Sequence, residues 1–146
     1  MAAETFSGWT SYTPVWGNTG TANIQGAATV AGRYHVVGKI VTFEIDFTFG
    51  AGSVSGNAAW TFTLPVTGAA VTTPGQILGN AILRDASVGE YRGVVQQRSP
   101  TTCVVYLMGA ISSGVGFGDV PFTWAATDGL TISGVYQAFP LKANGT

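Results

Sequence analysis

The stretch Lys39-Ile40-Val41-Thr42-Phe43-Glu44-Ile45-Asp46-Phe47-Thr48-Phe49 decides the fold of this chain. From position 41 to 49, every odd-numbered residue is apolar and every even-numbered residue is polar. Successive side chains of a β-strand point to opposite faces of the sheet. The alternation therefore predicts a long strand with one face in a core and the other in water or against a partner.

The same alternation recurs elsewhere, and it makes the chain an all-β protein. Residues 58–64 place Trp60, Phe62 and Leu64 on one face, and residues 130–138 repeat the pattern. Less regular segments that we also expect to form strands are 12–16, 28–37, 77–84, 88–97 and 101–108, with a short one at 122–125. The breaks between them are rich in Gly, Pro, Asn and Asp, which suit turns. We predict an antiparallel β-sandwich of about eight or nine strands, a jelly roll of two sheets being the best single interpretation.

Composition limits the classes of function. The chain has 146 residues, of which 9% are charged, and a net charge of −1. This length suits one domain, and the charged fraction is far below the roughly 25% of a typical soluble domain. No basic field is present to attract nucleic acid, and no apolar run is long enough for a membrane helix. So few charges predict that sister copies or a partner cover much of the surface.

The ends of the chain suggest how the domain is bounded. We expect a short N-terminal arm over 1–8, a single β-sandwich domain over 9–140 and a short tail over 141–146. The first residues have neither a positive region nor a long apolar stretch, so we expect no secretory signal and synthesis in the host cytoplasm.

Few residues suggest catalysis. The single histidine, His35, and the single cysteine, Cys103, both fall within expected strands, where we interpret them as an outward polar side chain and a buried apolar one. Glu44 and Asp46 share one strand face and could form an acid/base pair or half of a cation site, but a solvated face is the simpler interpretation. We expect no enzyme activity, no cofactor and no metal.

Aromatic residues near the start of the chain are the better candidates for a functional surface. They could stack on sugar rings, or they could anchor the core or a subunit interface. Trp60 alternates with core positions, so we assign it to the core. The candidate interface residues lie ahead of the alternating strands, and they are Glu4, Phe6, Trp9, Tyr12 and Trp16.

Four segments together resemble a recurrent module of tailed-bacteriophage virion proteins. One of them fits the pattern Gly-x-Tyr-x-x-x-Gly-x-x-Val-x-Phe, from Gly32 to Phe43. The others are the aromatic segment 9–16, the segment 56–66 whose strand ends in Leu64-Pro65, and the closing segment 128–136. In order, they are spread over residues 9–136 of the chain.

The resemblance implies a non-enzymatic jelly-roll domain that assembles as a homotrimer. Because the module begins at Trp9, without a long attachment segment before it, we expect a capsid decoration or minor capsid protein. Such a protein binds the lattice of the major capsid protein on the outer surface of the virion and stabilises the shell. The alternative is a tail-fibre or tail-tip protein that recognises host-surface carbohydrate. A free carbohydrate-binding module and an enzyme are more distant alternatives.

Overall fold

The computed structural model describes residues 8–20, 22–71, 75–108, 114–115 and 120–139. Nine strands lie in these ranges: β1 (Thr10–Tyr12), β2 (Trp16–Asn18), β3 (Thr29–Val37), β4 (Ile40–Thr48), β5 (Trp60–Thr63), β6 (Ile77–Asp85), β7 (Gly89–Ser99), β8 (Thr102–Leu107) and β9 (Gly129–Gln137). The described residues contain no helix long and apolar enough to cross a membrane. Most of the expected arm and the whole expected tail lie outside the described residues.

The nine strands form one continuous sheet in the order β1-β3-β4-β9-β6-β7-β8-β5-β2. Every neighbouring pair is antiparallel. The predicted all-β, antiparallel architecture is confirmed, and so is the number of strands. The jelly roll is not confirmed, because hydrogen bonding runs unbroken through all nine strands instead of dividing them into two sheets.

A short segment near the start of the chain curls the sheet. Strands β1 and β2 lie at opposite ends of the strand order, yet only residues 13–15 connect them. From Tyr12 to Trp16 the chain spans at most about 14 Å, so the two edges of the sheet must lie close together. They meet at Thr63, whose carbonyl accepts a hydrogen bond from the Tyr12 hydroxyl at 3.2 Å and whose Oγ1 accepts one from the Val15 amide at 2.8 Å.

This segment corrects one predicted strand. The sequence pattern predicts a strand over 12–16, but the chain there leaves one edge of the sheet and joins the other. Pro14 lies at the crossing, and it has no amide hydrogen to give to a β-ladder. The sheet is thus a half-barrel whose two edge strands are joined by this short segment.

The concave face of the half-barrel holds the core. Val41, Phe43, Ile45, Phe47 and Phe49 are all buried, which confirms the prediction made from their alternation. An aromatic cluster fills one end of the core, with ring centroids of contacting pairs 4.5–6.4 Å apart. Its members are Trp16, Phe47, Phe49, Trp60, Phe62, Phe122 and Trp124.

The segment 122–125 is not a strand, although the sequence pattern suggests one. Phe122 and Trp124 are buried from an irregular segment that Asp128 holds in place. The Asp128 carboxylate is only 3% exposed and accepts hydrogen bonds from the amides of Ala125, at 2.7 Å, and Ala86, at 2.9 Å. Hydrogen bonds from backbone amides to the Asp128 carboxylate therefore replace the strand pairing that was expected here. They also join this segment to the β6–β7 turn.

Candidate functional site

The outer face of the sheet, opposite the core, carries two depressions that meet at Asp46. We call them together the polar trough. The first has a volume of about 150 Å³ and is lined by Ser11, Ala31, Gly32, Arg33, Glu44 and Asp46. The second has a volume of about 480 Å³, and its lining includes Asp46, Thr48, Arg84, Glu90, Gly129 and Thr131.

The register of the strands explains why the trough exists. Gly129 of β9 lies between Thr48 of β4 and Arg84 of β6, so the outer face lacks a side chain at that point. Arg84 and Glu90 are direct cross-strand neighbours and form the wall beyond it. Because strands are about 4.8 Å apart, a path from β1 to β7 across the trough is about 24 Å long.

A cluster of aromatic and charged side chains lies at the β1 end of the trough. Nε and Nη2 of Arg33 donate to Oε2 of Glu44, at 2.7 and 2.5 Å. The Arg33 guanidinium carbon lies 4.8 Å from the centroid of the Trp9 ring, and the His35 ring is 6.4 Å from Trp9. An exposed ion pair adds little to stability, about 0–1 kcal/mol, but this one fixes the orientation of the guanidinium over the indole.

The two carboxylates that share a face of β4 have different partners. Glu44 is bound by Arg33, whereas Asp46 accepts a hydrogen bond from the Thr131 hydroxyl at 3.2 Å. Both lie on the outer face, which agrees with the interpretation of this side of β4 as polar and solvated. Asp46 is the carboxylate that faces both halves of the trough.

Four exposed aliphatic side chains lie toward the other end of the same face. Val37 pairs with Ile40 across the β3–β4 hairpin, and Val135 lies on the neighbouring strand β9, opposite Thr42. Ile77 follows on β6, where a register shift turns Leu78 into the core and leaves Ile77 outside. These four aliphatic side chains are 47–69% exposed, and we call them the aliphatic patch.

The predicted interface residues have different locations. Glu4 and Phe6 lie outside the described residues. Trp9 is 44% exposed beside Arg33, and its assignment to an interface stays a prediction. Tyr12 is half-buried, and its ring packs edge-on against Tyr34 on the core side of the sheet. Trp16 is corrected to a core residue, because it is 7% exposed and packs on Phe47, Phe49 and Trp60.

The remaining titratable groups of interest lie inside the half-barrel. Cys103 is buried, as predicted, and burial raises the pKa of its thiol to about 12. Burial also raises the pKa of Tyr12, and it raises that of Tyr136 to about 12. The Tyr136 hydroxyl donates to the Val66 carbonyl at 2.6 Å and accepts from the Val66 amide at 3.0 Å. These three groups therefore stay protonated at neutral pH. The hydroxyls of Tyr12 and Tyr136 link separate segments of the chain through their hydrogen bonds.

Several residues of the trough were not predicted from the sequence. These residues lie on four different strands, β3, β6, β7 and β9, and only strand pairing brings them together; they are Arg33, Arg84, Glu90, Gly129 and Thr131. One signal was available for Arg33: a two-residue turn at Gly38-Lys39 pairs residue 33 with residue 44.

Comparison of the chain with protein-family models, with curated proteins and with solved structures found no match.

Proposed function

We propose that this chain is a non-enzymatic structural protein of a bacteriophage virion, which assembles as a homotrimer and decorates the head. The aliphatic patch on the outer face of the sheet supports the self-association, and the virion assignment rests on the resemblance of the four sequence segments. Exposed aliphatic side chains gathered on one face of a protein with so few charges favour a contact with another protein. A sister subunit is the occupant that fits a chain whose own surface is nearly neutral.

The patch could stabilise such a contact appreciably. Full burial of an aliphatic side chain contributes about 1.5–3 kcal/mol, and each member of the patch is already partly covered. Covering the rest contributes about 1 kcal/mol per side chain, repeated in every subunit of the trimer. Trp9 and the N-terminal arm would then dock on the lattice of the major capsid protein, where three weak contacts add through multivalency.

We expect Val135→Asp to weaken self-association at least about a hundredfold, because a carboxylate would be buried without a partner. Light scattering during size-exclusion chromatography should give a trimer mass for the native chain and a monomer mass for the variant. The matched control is Val88→Asp, the same change at an exposed valine of the β6–β7 turn, which should leave the trimer intact. A native chain that stays monomeric at high concentration would contradict the homotrimer.

Location in the virion tests the rest of the proposal. We expect an antibody against the chain to detect it in purified heads of the encoding phage that lack tails, in many copies per head. The alternative, a tail-fibre or tail-tip protein, draws support from the exposed Trp9 beside the polar trough. Detection confined to tails would favour that alternative, and absence from the particle would overturn both.

A further inference from the structure

We propose that the aliphatic patch of one subunit packs against a second, uncharged surface on the next subunit of the trimer. The inference rests on the proposed function, because it names the partner surface of that same contact. A closed ring of three subunits is built from head-to-tail contacts, in which two different surfaces of the chain meet. The patch therefore needs a complementary surface elsewhere on the chain.

The distribution of charge along the sequence indicates where that surface lies. Residues 5–32 and 47–83 contain no Asp, Glu, Lys or Arg, although together they make up nearly half of the chain. Strands β2 and β5 belong to these two segments and pair with each other at one end of the strand order. Depletion of charged residues distinguishes the buried centre of a protein interface from the rest of a protein surface.

Three exposed aliphatic side chains lie in these segments beside β2. Ile24 and Val54 pair directly, since the amide of each donates to the carbonyl of the other, at 3.0 and 2.9 Å. Side chains paired in this way lie on the same face. The Asn23 side chain donates to the Trp16 carbonyl at 3.1 Å, and this bond brings the pair close to Val15. Val15, Ile24 and Val54 are 47–63% exposed, and we call them the neutral surface.

The backbone around the neutral surface is firmly held. The loop before β3 packs against the loop after β4, because a Cβ at Gly26 would collide with the backbone of Gly52. The Ser55 carbonyl accepts hydrogen bonds from Nε1 of Trp60, at 2.8 Å, and from the Asn18 side chain, at 3.0 Å. A surface that is already ordered loses little entropy when a neighbour docks on it.

Contact area gives a second argument for an uncharged partner surface. Four half-exposed aliphatic side chains offer about 200 Å², a quarter of the roughly 800 Å² that each partner of a stable complex buries. The surroundings of both surfaces must therefore supply the rest, and a charge buried there without a partner would be costly. Apart from Ile24 and Val54, segments 22–28 and 50–58 contain only Ala, Gly, Ser, Asn and Gln.

The experiment mixes two variants that each block one of the two surfaces. Val54→Asp blocks the neutral surface and Val135→Asp blocks the aliphatic patch, and both valines are 47% exposed. We expect each variant alone to sediment as a monomer, because every subunit of a ring uses both surfaces. An equimolar mixture should form a dimer at least about tenfold more tightly than either variant with itself, since one intact patch then meets one intact neutral surface.

Val88→Asp is the matched control, because it makes the same change at a valine outside both surfaces, and it should remain a trimer. Circular dichroism should show that each variant is folded. If Val54→Asp does not fold, Val15→Asp blocks the same surface at a position that is 63% exposed.

The inference is overturned, with the trimer intact, if blocking the neutral surface leaves the native trimer. Loss of head binding alone would then make this surface the contact with the head. It is also overturned if the mixture stays monomeric. A monomeric native chain would overturn the trimer itself and this inference with it.

Discussion

Phe47→Ala is expected to lower the free energy of unfolding by about 3–5 kcal/mol, the usual cost of removing a buried phenylalanine. Phe47 touches Trp16, Phe49, Trp60, Phe62 and Trp124, so its ring lies at the centre of the aromatic cluster. Rigid aromatic neighbours cannot collapse into the cavity, which places the cost toward the upper end of that range. Proteins of this size are stable by only about 5–15 kcal/mol.

Thermal unfolding followed by far-ultraviolet circular dichroism measures this effect. We expect the melting temperature to fall by about 10 °C or more. The matched control is Phe139→Ala, the same change at a phenylalanine that is 55% exposed, and it should cost less than about 0.5 kcal/mol. Equal losses in the two variants would contradict a core centred on Phe47.

Gly79→Ala is expected to destabilise the chain by about 3 kcal/mol or more, although it adds a single methyl group. A Cβ at this position would meet only backbone: it would lie 2.7 Å from the Cα of Gly134 and closer still to the Ser133 carbonyl oxygen. Strands β6 and β9 would have to separate in the middle of the sheet, and their ladder would be broken there.

Gly129→Ala is the control for this prediction, because it adds the same methyl group to the same pair of strands. The Cβ at Gly129 would meet nothing closer than the Phe47 carbonyl oxygen at 3.6 Å, an ordinary contact. Urea denaturation should show a loss below about 1 kcal/mol for this variant. If Gly129→Ala proved as harmful as Gly79→Ala, the close approach of β6 and β9 would not be the cause.

Local sequence patterns predicted where the strands lie in the chain, but they did not predict which strands pair with each other. The alternation in β4 and β9 identified their buried faces because a period of two is a local property of the chain. Pairing is not local, since β9 lies between β4 and β6 and β2 pairs with β5. The sequence therefore indicated an all-β fold but gave no basis for choosing one curled sheet over two.

The burial of the tryptophans also could not be predicted from local sequence patterns. Trp9 precedes β1 and Trp16 begins β2, and the sequence pattern predicted both as interface residues. The crossing at 13–15 separates them, because it leaves Trp9 on the outer face and places Trp16 in the core. The trough was equally hidden: Asp46 and Thr131 are 85 residues apart and meet only through the register of β4 and β9.

The position of β9 in the sheet has a consequence for synthesis on the ribosome. This strand follows the other eight in the chain, and among the described strands it alone pairs with both β4 and β6, joining the β1-β3-β4 group to the β6-β7-β8 group. Until it emerges, a nascent chain exposes long unpaired edges at both β4 and β6, which are templates for aggregation. We expect the complete sheet to form only after β9 has emerged from the ribosome, and a chain that stops short of β9 should need chaperones or be degraded.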